Sequence, residues 1–234
     1  MKAVQISRLT TNRLSLYLRC LNLLQEAGVK TVSSRELADQ FHLNSAQIRK
    51  DLAYFGEFGV RGVGYYVPEL KRHLIKILGL HKQYNVLIVG AGNLGMALAG
   101  YQGFYTGGFR IVALVDSSEE RVKALSGTGQ PVYPTRDLKR LVKRHNINIA
   151  ILAVPPQSGQ QALDAVYTAG IRALLNFVPV RMKVPEDCEM VTVDLKVQLE
   201  SLAYHLARSD ASPSRDEKRR KRTGARPVAR GARG

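Results

Sequence analysis

Val86-Leu-Ile-Val-Gly90-Ala-Gly92-Asn-Leu-Gly95 sets an apolar strand directly ahead of a Gly-x-Gly-x-x-Gly turn, and Met96-Ala-Leu-Ala99 continues from it as a helix. That context gives each glycine a task. Gly90 permits the tight turn, Gly92 lets backbone come close to a pyrophosphate, and Gly95 allows helix and strand to touch, while the helix N-terminus supplies N–H donors and the positive end of its dipole. Asp116 closes the next apolar run, Ile111 to Val115, 21 residues beyond Gly95. A carboxylate there hydrogen-bonds both hydroxyls of a ribose and repels a 2′-phosphate, so NADH and NAD+ are favoured over their phosphorylated counterparts. The dinucleotide-binding candidates of this stretch are Gly90, Ala91, Gly92, Asn93, Leu94, Gly95 and Asp116.

Further along, apolar runs alternate with helical patterns: helices over Glu119 to Leu125, Asp137 to Arg144 and Ala162 to Ala169, strands over Ile149 to Val154 and Leu174 to Val178. Such alternation predicts an α/β unit with a doubly wound parallel sheet covered on both faces. The two later strands end on the same edge of the sheet as the glycine turn, which brings Val154, Pro155, Asn176 and Phe177 to the nicotinamide half of a bound dinucleotide. Past Val191 to Val193, the residues Leu195, Leu199, Leu202 and Leu206 stripe one face of a final helix that needs a partner surface.

Towards the N-terminus, residues 10 to 27 read as a helix with Leu14, Leu18, Leu21 and Leu24 inward and Gly28 at its C-terminal end. A short Val29-Lys-Thr-Val32 turn follows. Ser33 with Glu36 forms a capping box for a second helix, and Asn44 with Gln47 repeats the device for a third, whose Ile48, Leu52 and Phe55 share a buried face. Two short helices in a three-helix unit predict a helix-turn-helix. Ser45, Gln47, Arg49, Lys50 and Tyr54 lie off the apolar face and present donors to bases and phosphates. Gly56 to Val67 reads as a β-hairpin with Val63, Tyr65 and Val67 alternating on its return strand. It forms a wing whose tip carries Arg61 between Gly59 and Gly62. Pro68 opens a further helix through Leu70, Leu74 and Leu78.

Composition agrees with a polyanion partner. The formal charge of +16 is uneven: 12 basic against 6 acidic residues over 1–80, 13 against 10 over 81–207, and 10 against 3 over 208–234. Domains are expected at 1–80 (DNA binding), 81–193 (dinucleotide binding), 194–207 (the final helix, whose stripe needs a partner surface) and 208–234 (a basic disordered tail). Lys218-Arg-Arg-Lys-Arg222 in that tail binds any polyanion without sequence preference. Two cysteines, Cys20 and Cys188, exclude a disulfide framework or a Cys-based metal cluster and suit a reducing cytoplasm. The uncharged stretch 83–109 is long enough for a membrane span, but its seven glycines argue against one, and no signal peptide is evident.

Gln47-Ile-Arg-Lys-Asp-Leu-Ala-Tyr-Phe-Gly56, Arg61-Gly-Val-Gly-Tyr65, Val89-Gly-Ala-Gly-Asn-Leu-Gly95, Asn176-Phe-Val-Pro179, Val193-Asp-Leu195 and Glu200-Ser-Leu-Ala-Tyr204 resemble the bacterial redox-sensing repressor family Rex over residues 4 to 207. The resemblance implies a winged helix joined to a Rossmann domain, and a homodimer whose C-terminal helices swap between subunits. It implies a repressor that holds a palindromic double-stranded operator in its NAD+ or apo form and leaves it when NADH binds. It also implies a switch between domains formed by Arg19, Tyr101 and Asp194. Family members often carry Ala where this chain has Val178.

The rival reading is an NAD-dependent dehydrogenase with an accessory N-terminal domain. An enzyme needs a proton donor or acceptor beside the hydride site, yet no Tyr-x-x-x-Lys pair is present and the five histidines have no evident catalytic partner, so no catalytic or metal-binding residue is assigned. Residues 84–207 also leave no room for a separate substrate domain. A third reading, a CoA-binding or scaffold module on the same glycine loop, is distinguished by whether CoA competes with NADH.

Overall fold

The computed structural model describes residues 6–127 and 129–210. Two compact units make up the chain, Met1–Val86 with Gly100–Val112 and Leu87–Ala99 with Ala113–Gly234.

The first unit begins with α1 (Arg8–Glu26), capped by the Ser7 hydroxyl on the Thr10 N–H and closed by Gly28 in the left-handed region. β1 (Thr31–Val32) leads into α2 (Ser34–Phe41), where the expected capping box forms in full: Ser33 accepts from the Glu36 N–H, and Glu36 accepts from the Ser33 N–H at 2.7 Å. The matching device at α3 (Ser45–Phe55) is only half made. Asn44 accepts from the Gln47 N–H, but the Gln47 side chain turns away to Asp51. β2 (Tyr65–Tyr66) precedes α4 (Val67–Ile77), which has Pro68 in its first turn and packs along α1. Leu14, Leu21, Leu37, Ile48, Leu52, Leu70 and Leu74 close one core from all four helices.

The wing departs from the expected hairpin. Only the bridge Val60↔Gly64 links its two arms, and its return arm pairs instead with the segment expected to be a mere turn, Thr31↔Tyr66 and Val32↔Tyr65, antiparallel. Val67 leaves the strand to begin α4. The reason is burial: Val32, Tyr65 and Val67 reach the helical core only by pairing at the root of the wing.

The second unit holds most of a six-stranded sheet ordered β5-β4-β3-β6-β7-β8. From residue 84 onward the elements are β3 (Tyr84–Val89), α5 (Asn93–Ala99), α6 (Gln102–Thr106, within the first unit), β4 (Phe109–Asp116), α7 (Glu119–Ala124), β5 (Val132–Pro134), α8 (Leu138–His145), β6 (Ile147–Leu152), α9 (Gly159–Thr168), β7 (Ala173–Asn176), β8 (Glu189–Thr192) and α10 (Leu195–Asp210). β4 and β5, β6 and β7, and β7 and β8 pair in parallel. Chain order reverses direction across the sheet between β3 and β6, and that switch point is where a doubly wound sheet opens a crevice for ligands. Besides β1, two elements escaped the sequence reading, the short strand β5 and the one-turn helix α6.

α10 runs through Asp210, so residues 208–210 are helical rather than part of a tail; the rest of the expected tail, with Lys218 to Arg222, lies outside the described residues. Among the described residues no helix is long and apolar enough to cross a membrane, and no three His, Cys, Asp or Glu side chains gather as metal ligands would.

Candidate dinucleotide cleft and nucleic-acid interface

A cleft of about 550 Å³ opens at the switch point, within the size range of small-molecule sites. Gly90, Gly92, Asn93, Leu94, Asp116, Arg121, Val154, Pro155 and Phe177 all line it. Gly90 has φ +103°, and a Cβ there would lie 2.4 Å from the Ala153 carbonyl oxygen; a Cβ on Gly95 would lie 1.9 Å from the Gly90 oxygen. Both positions are therefore closed to a side chain by the protein's own backbone. Gly92 differs, since a Cβ there would meet no atom within 4 Å. Internal packing does not demand glycine at 92.

Asp116 is 4% exposed, and its carboxylate is fully engaged. Oδ2 accepts from the Ala91 N–H (2.8 Å) and Arg121 Nη1 (2.9 Å), while Oδ1 accepts from the Ser118 N–H (2.8 Å) and Arg121 Nη1 (3.1 Å). Burial penalises its charge, but the Ser118 and Ala91 N–H groups and the Arg121 guanidinium outweigh that and hold the carboxyl below its ordinary range. Ala91 thus braces the acid and does not line the cleft. Arg121 was missed because Asp116 ends a strand and Arg121 stands one turn into the next helix; no helical spacing links them. Asp116 and Arg121 are the only ionisable side chains among the residues lining the cleft.

The expected pair Asn176 and Phe177 divides. Phe177 lines the cleft, whereas the Asn176 amide is fully buried, donating to the Val178 carbonyl (3.0 Å) and Thr192 Oγ1 (3.2 Å) and accepting from the Val178 N–H (2.9 Å). Asn176 shapes the loop that carries Phe177. Val178 is buried too and faces Gly159, off the cleft lining, so its extra bulk relative to Ala is absorbed in the core.

In the first unit Arg49, Lys50 and Tyr54 on α3 and Arg61 at the wing tip are exposed, and Ser45 and Gln47 are half-buried. Arg49 donates to Ser34 Oγ at 3.1 Å, which ties it to the start of α2. Asp51 is the residue that periodicity missed. At 4% exposure it receives Arg13 Nε (2.5 Å) and Nη2 (2.8 Å), Tyr17 Oη (2.9 Å) and Gln47 Nε2 (2.8 Å). The Arg13 hydrogen bond is the main reason its carboxyl is held below the usual range. α1 thereby grips α3 by a charge-assisted fork, and the Gln47 amide is oriented by Asp51 through one of its two N–H groups, which leaves its oxygen and second N–H outside that bond.

Each expected switch residue has its own local setting. Arg19 is exposed on α1, Tyr101 is exposed before α6 with its ring edge-on to Phe104 at 5.0 Å, and Asp194 accepts from the Lys196 and Val197 N–H groups as the cap of α10.

Residues 5–53 match the family described as "Putative DNA-binding protein N-terminus", and residues 81–180 the family described as "CoA binding domain". The redox-sensing transcriptional repressor Rex of Desulforamulus reducens is 47% identical over 208 residues, spanning 88% of this chain and 98% of its own. The chain belongs to the Rex family. RSP, a Rex-family repressor, has been solved in complex with beta-NAD+ and operator DNA. That structure is 38% identical with a TM-score of 0.83, covering 89% of this chain and 95% of the other. RSP in complex with beta-NADH is 37% identical with a TM-score of 0.77, covering 90% and 98%. The Rex relatives span most of the chain, so the glycine cleft of this chain sits in a Rex framework.

Proposed function

We propose that this protein is a transcriptional repressor that binds operator DNA through residues 1–80 and reads the NADH/NAD+ ratio in the cleft of residues 81–193, releasing DNA when NADH binds. The observation that carries this reading is the solved relative, 38% identical, that holds beta-NAD+ and operator DNA at once. The cleft supports a signal in place of a reaction. Its only two ionisable side chains, Asp116 and Arg121, are paired with each other, whereas hydride chemistry needs a proton donor or acceptor. Gly90, Gly92, Asn93, Leu94, Val154, Pro155 and Phe177 contact the dinucleotide, with Ala91, Gly95 and Asn176 shaping the walls. Arg49, Gln47 and Tyr54 reach bases, Lys50 and Ser45 hold phosphate, and Arg61 enters the neighbouring minor groove. The protein works in the cytoplasm as a homodimer. Leu195, Leu199, Leu202 and Leu206, each more than half exposed, swap onto the partner subunit as residues 194–207.

Linkage sets the energetics. NADH has to favour the arrangement that cannot hold DNA, and DNA weakens NADH binding by the same factor, with a coupling of about 1–3 kcal/mol. The test is a titration of NADH, NAD+ and CoA, each alone, against the protein bound to a labelled palindromic duplex, with NADH absorbance followed in the same cuvette. Release by NADH without turnover, and no effect of CoA, is expected. Turnover without DNA binding overturns the reading in favour of a dehydrogenase.

Arg19, Tyr101 and Asp194 form the switch, Asp194 meeting Arg19 in one state only. Asp194→Asn keeps a cap acceptor on α10 while removing the charge, which Asp194→Ala does not. The asparagine variant is expected to bind both NADH and duplex yet lose most NADH-driven release at unchanged helix content. Full release by that variant rejects the switch.

A further inference from the structure

A carboxylate offers about four lone-pair positions, and those of Asp116 are taken by two backbone N–H groups and both approaches of Arg121. A ribose diol seated on Asp116 has to displace Arg121. That side chain is free to move, being 48% exposed, while the carboxylate stays fixed by its backbone donors. The displaced guanidinium remains at the ribose end of the cleft, which it lines together with Ser117 and Thr135. Thr135 is shared with a second recess bordered by Arg136, Lys139 and Asp164, where Arg136 is paired with Glu119. A carboxylate alone at this place repels a 2′-phosphate, and an arginine beside it accommodates one; this chain has both, and the arginine cancels the charge of the acid.

We propose that the ribose end of this cleft accepts a 2′-phosphorylated nicotinamide dinucleotide as well as the free diol, with Arg121 as the residue that sets the discrimination between them. Arg121 serves NADPH as a counter-ion and competes with NADH for Asp116, so the two ligands respond to its removal in opposite directions. The inference rests on the dinucleotide reading of the cleft.

Equilibrium titration of the full chain with NADH and with NADPH, followed by dihydronicotinamide fluorescence, tests it in the wild type, Arg121→Gln, Arg121→Lys and Asp116→Asn. The wild type is expected to bind both, NADPH the more weakly. Arg121→Gln weakens NADPH about tenfold or more, the worth of a charge-assisted contact to phosphate, and tightens NADH a few-fold. Arg121→Lys keeps most NADPH affinity, because a point charge still meets the phosphate. Asp116→Asn shifts the NADPH-to-NADH ratio the other way, and this arm needs no change at Arg121. Equal changes for both ligands in Arg121→Gln, or NADH binding by the wild type with none of NADPH, overturn the proposal and leave the dinucleotide reading intact. No NADH binding by the wild type overturns both.

Discussion

Asp51→Ala is expected to destabilise the first unit by about 3 kcal/mol, a large share of the 5–15 kcal/mol that holds a typical domain folded. The variant strips the acceptor from the buried Tyr17 hydroxyl and from Gln47, and leaves the Arg13 guanidinium without its carboxylate. Arg13 is 32% exposed and recovers some hydration, which puts the cost at the lower end for a broken buried pair. Urea unfolding of wild type and variant, compared by midpoint, measures it. Duplex affinity should fall with it even under conditions where the variant is fully folded, because α3 loses its grip on α1. Acid gives a second readout. Asp51 titrates below its unfolded value of about 3.9, so its contribution is complete above that pH and fades as pH drops through the depressed value. The gap in stability between the two proteins should be level from neutral pH down to about 5 and close below about 4. Equal midpoints at neutral pH would show that desolvation of the carboxylate cancels its partners.

The second large effect concerns the glycine turn, where position decides between fold and ligand. Gly95→Ala drives a methyl into the Gly90 carbonyl, separating α5 from β3; a loss of about 3 kcal/mol and of NADH binding is expected, as for an overpacked core. Gly92→Ala meets no protein atom, so its melting temperature should stay within about 2 °C of wild type. Its NADH affinity should nonetheless fall about a hundredfold, because the methyl occupies the path along which the pyrophosphate reaches the helix N-terminus. A Gly92→Ala protein that keeps wild-type affinity would place the pyrophosphate elsewhere.

What could be read in advance follows the range of the interaction. Ser33 and Glu36 stand three residues apart and form their box as expected, and Asp116 was found because strand, turn and helix fix its distance from the glycines. The β1 segment could not be found, since a two-residue strand has no period and its partner lies more than thirty residues on. Asp51 sat unnoticed between Ile48 and Leu52, because a helical face that includes a carboxylate is legible only once Arg13 and Tyr17 are known to arrive from another helix. Gln47 looked like half of a capping box until Asp51 claimed its amide. Asn176 carried the right chemistry for a ligand and spends it on its own loop, a choice set by the register of β7 against β8.

The wing is fastened at its root by two residue pairs, Thr31↔Tyr66 and Val32↔Tyr65, and closed near its tip by the single bridge Val60↔Gly64. Residues 61–63 lie outside the helical core. The finger can therefore be lengthened or reshaped at its end without retuning anything beneath it. On the proposed reading, in which Arg61 at the tip meets DNA, operator footprint becomes a trait that short insertions can alter while the scaffold beneath the finger is inherited unchanged.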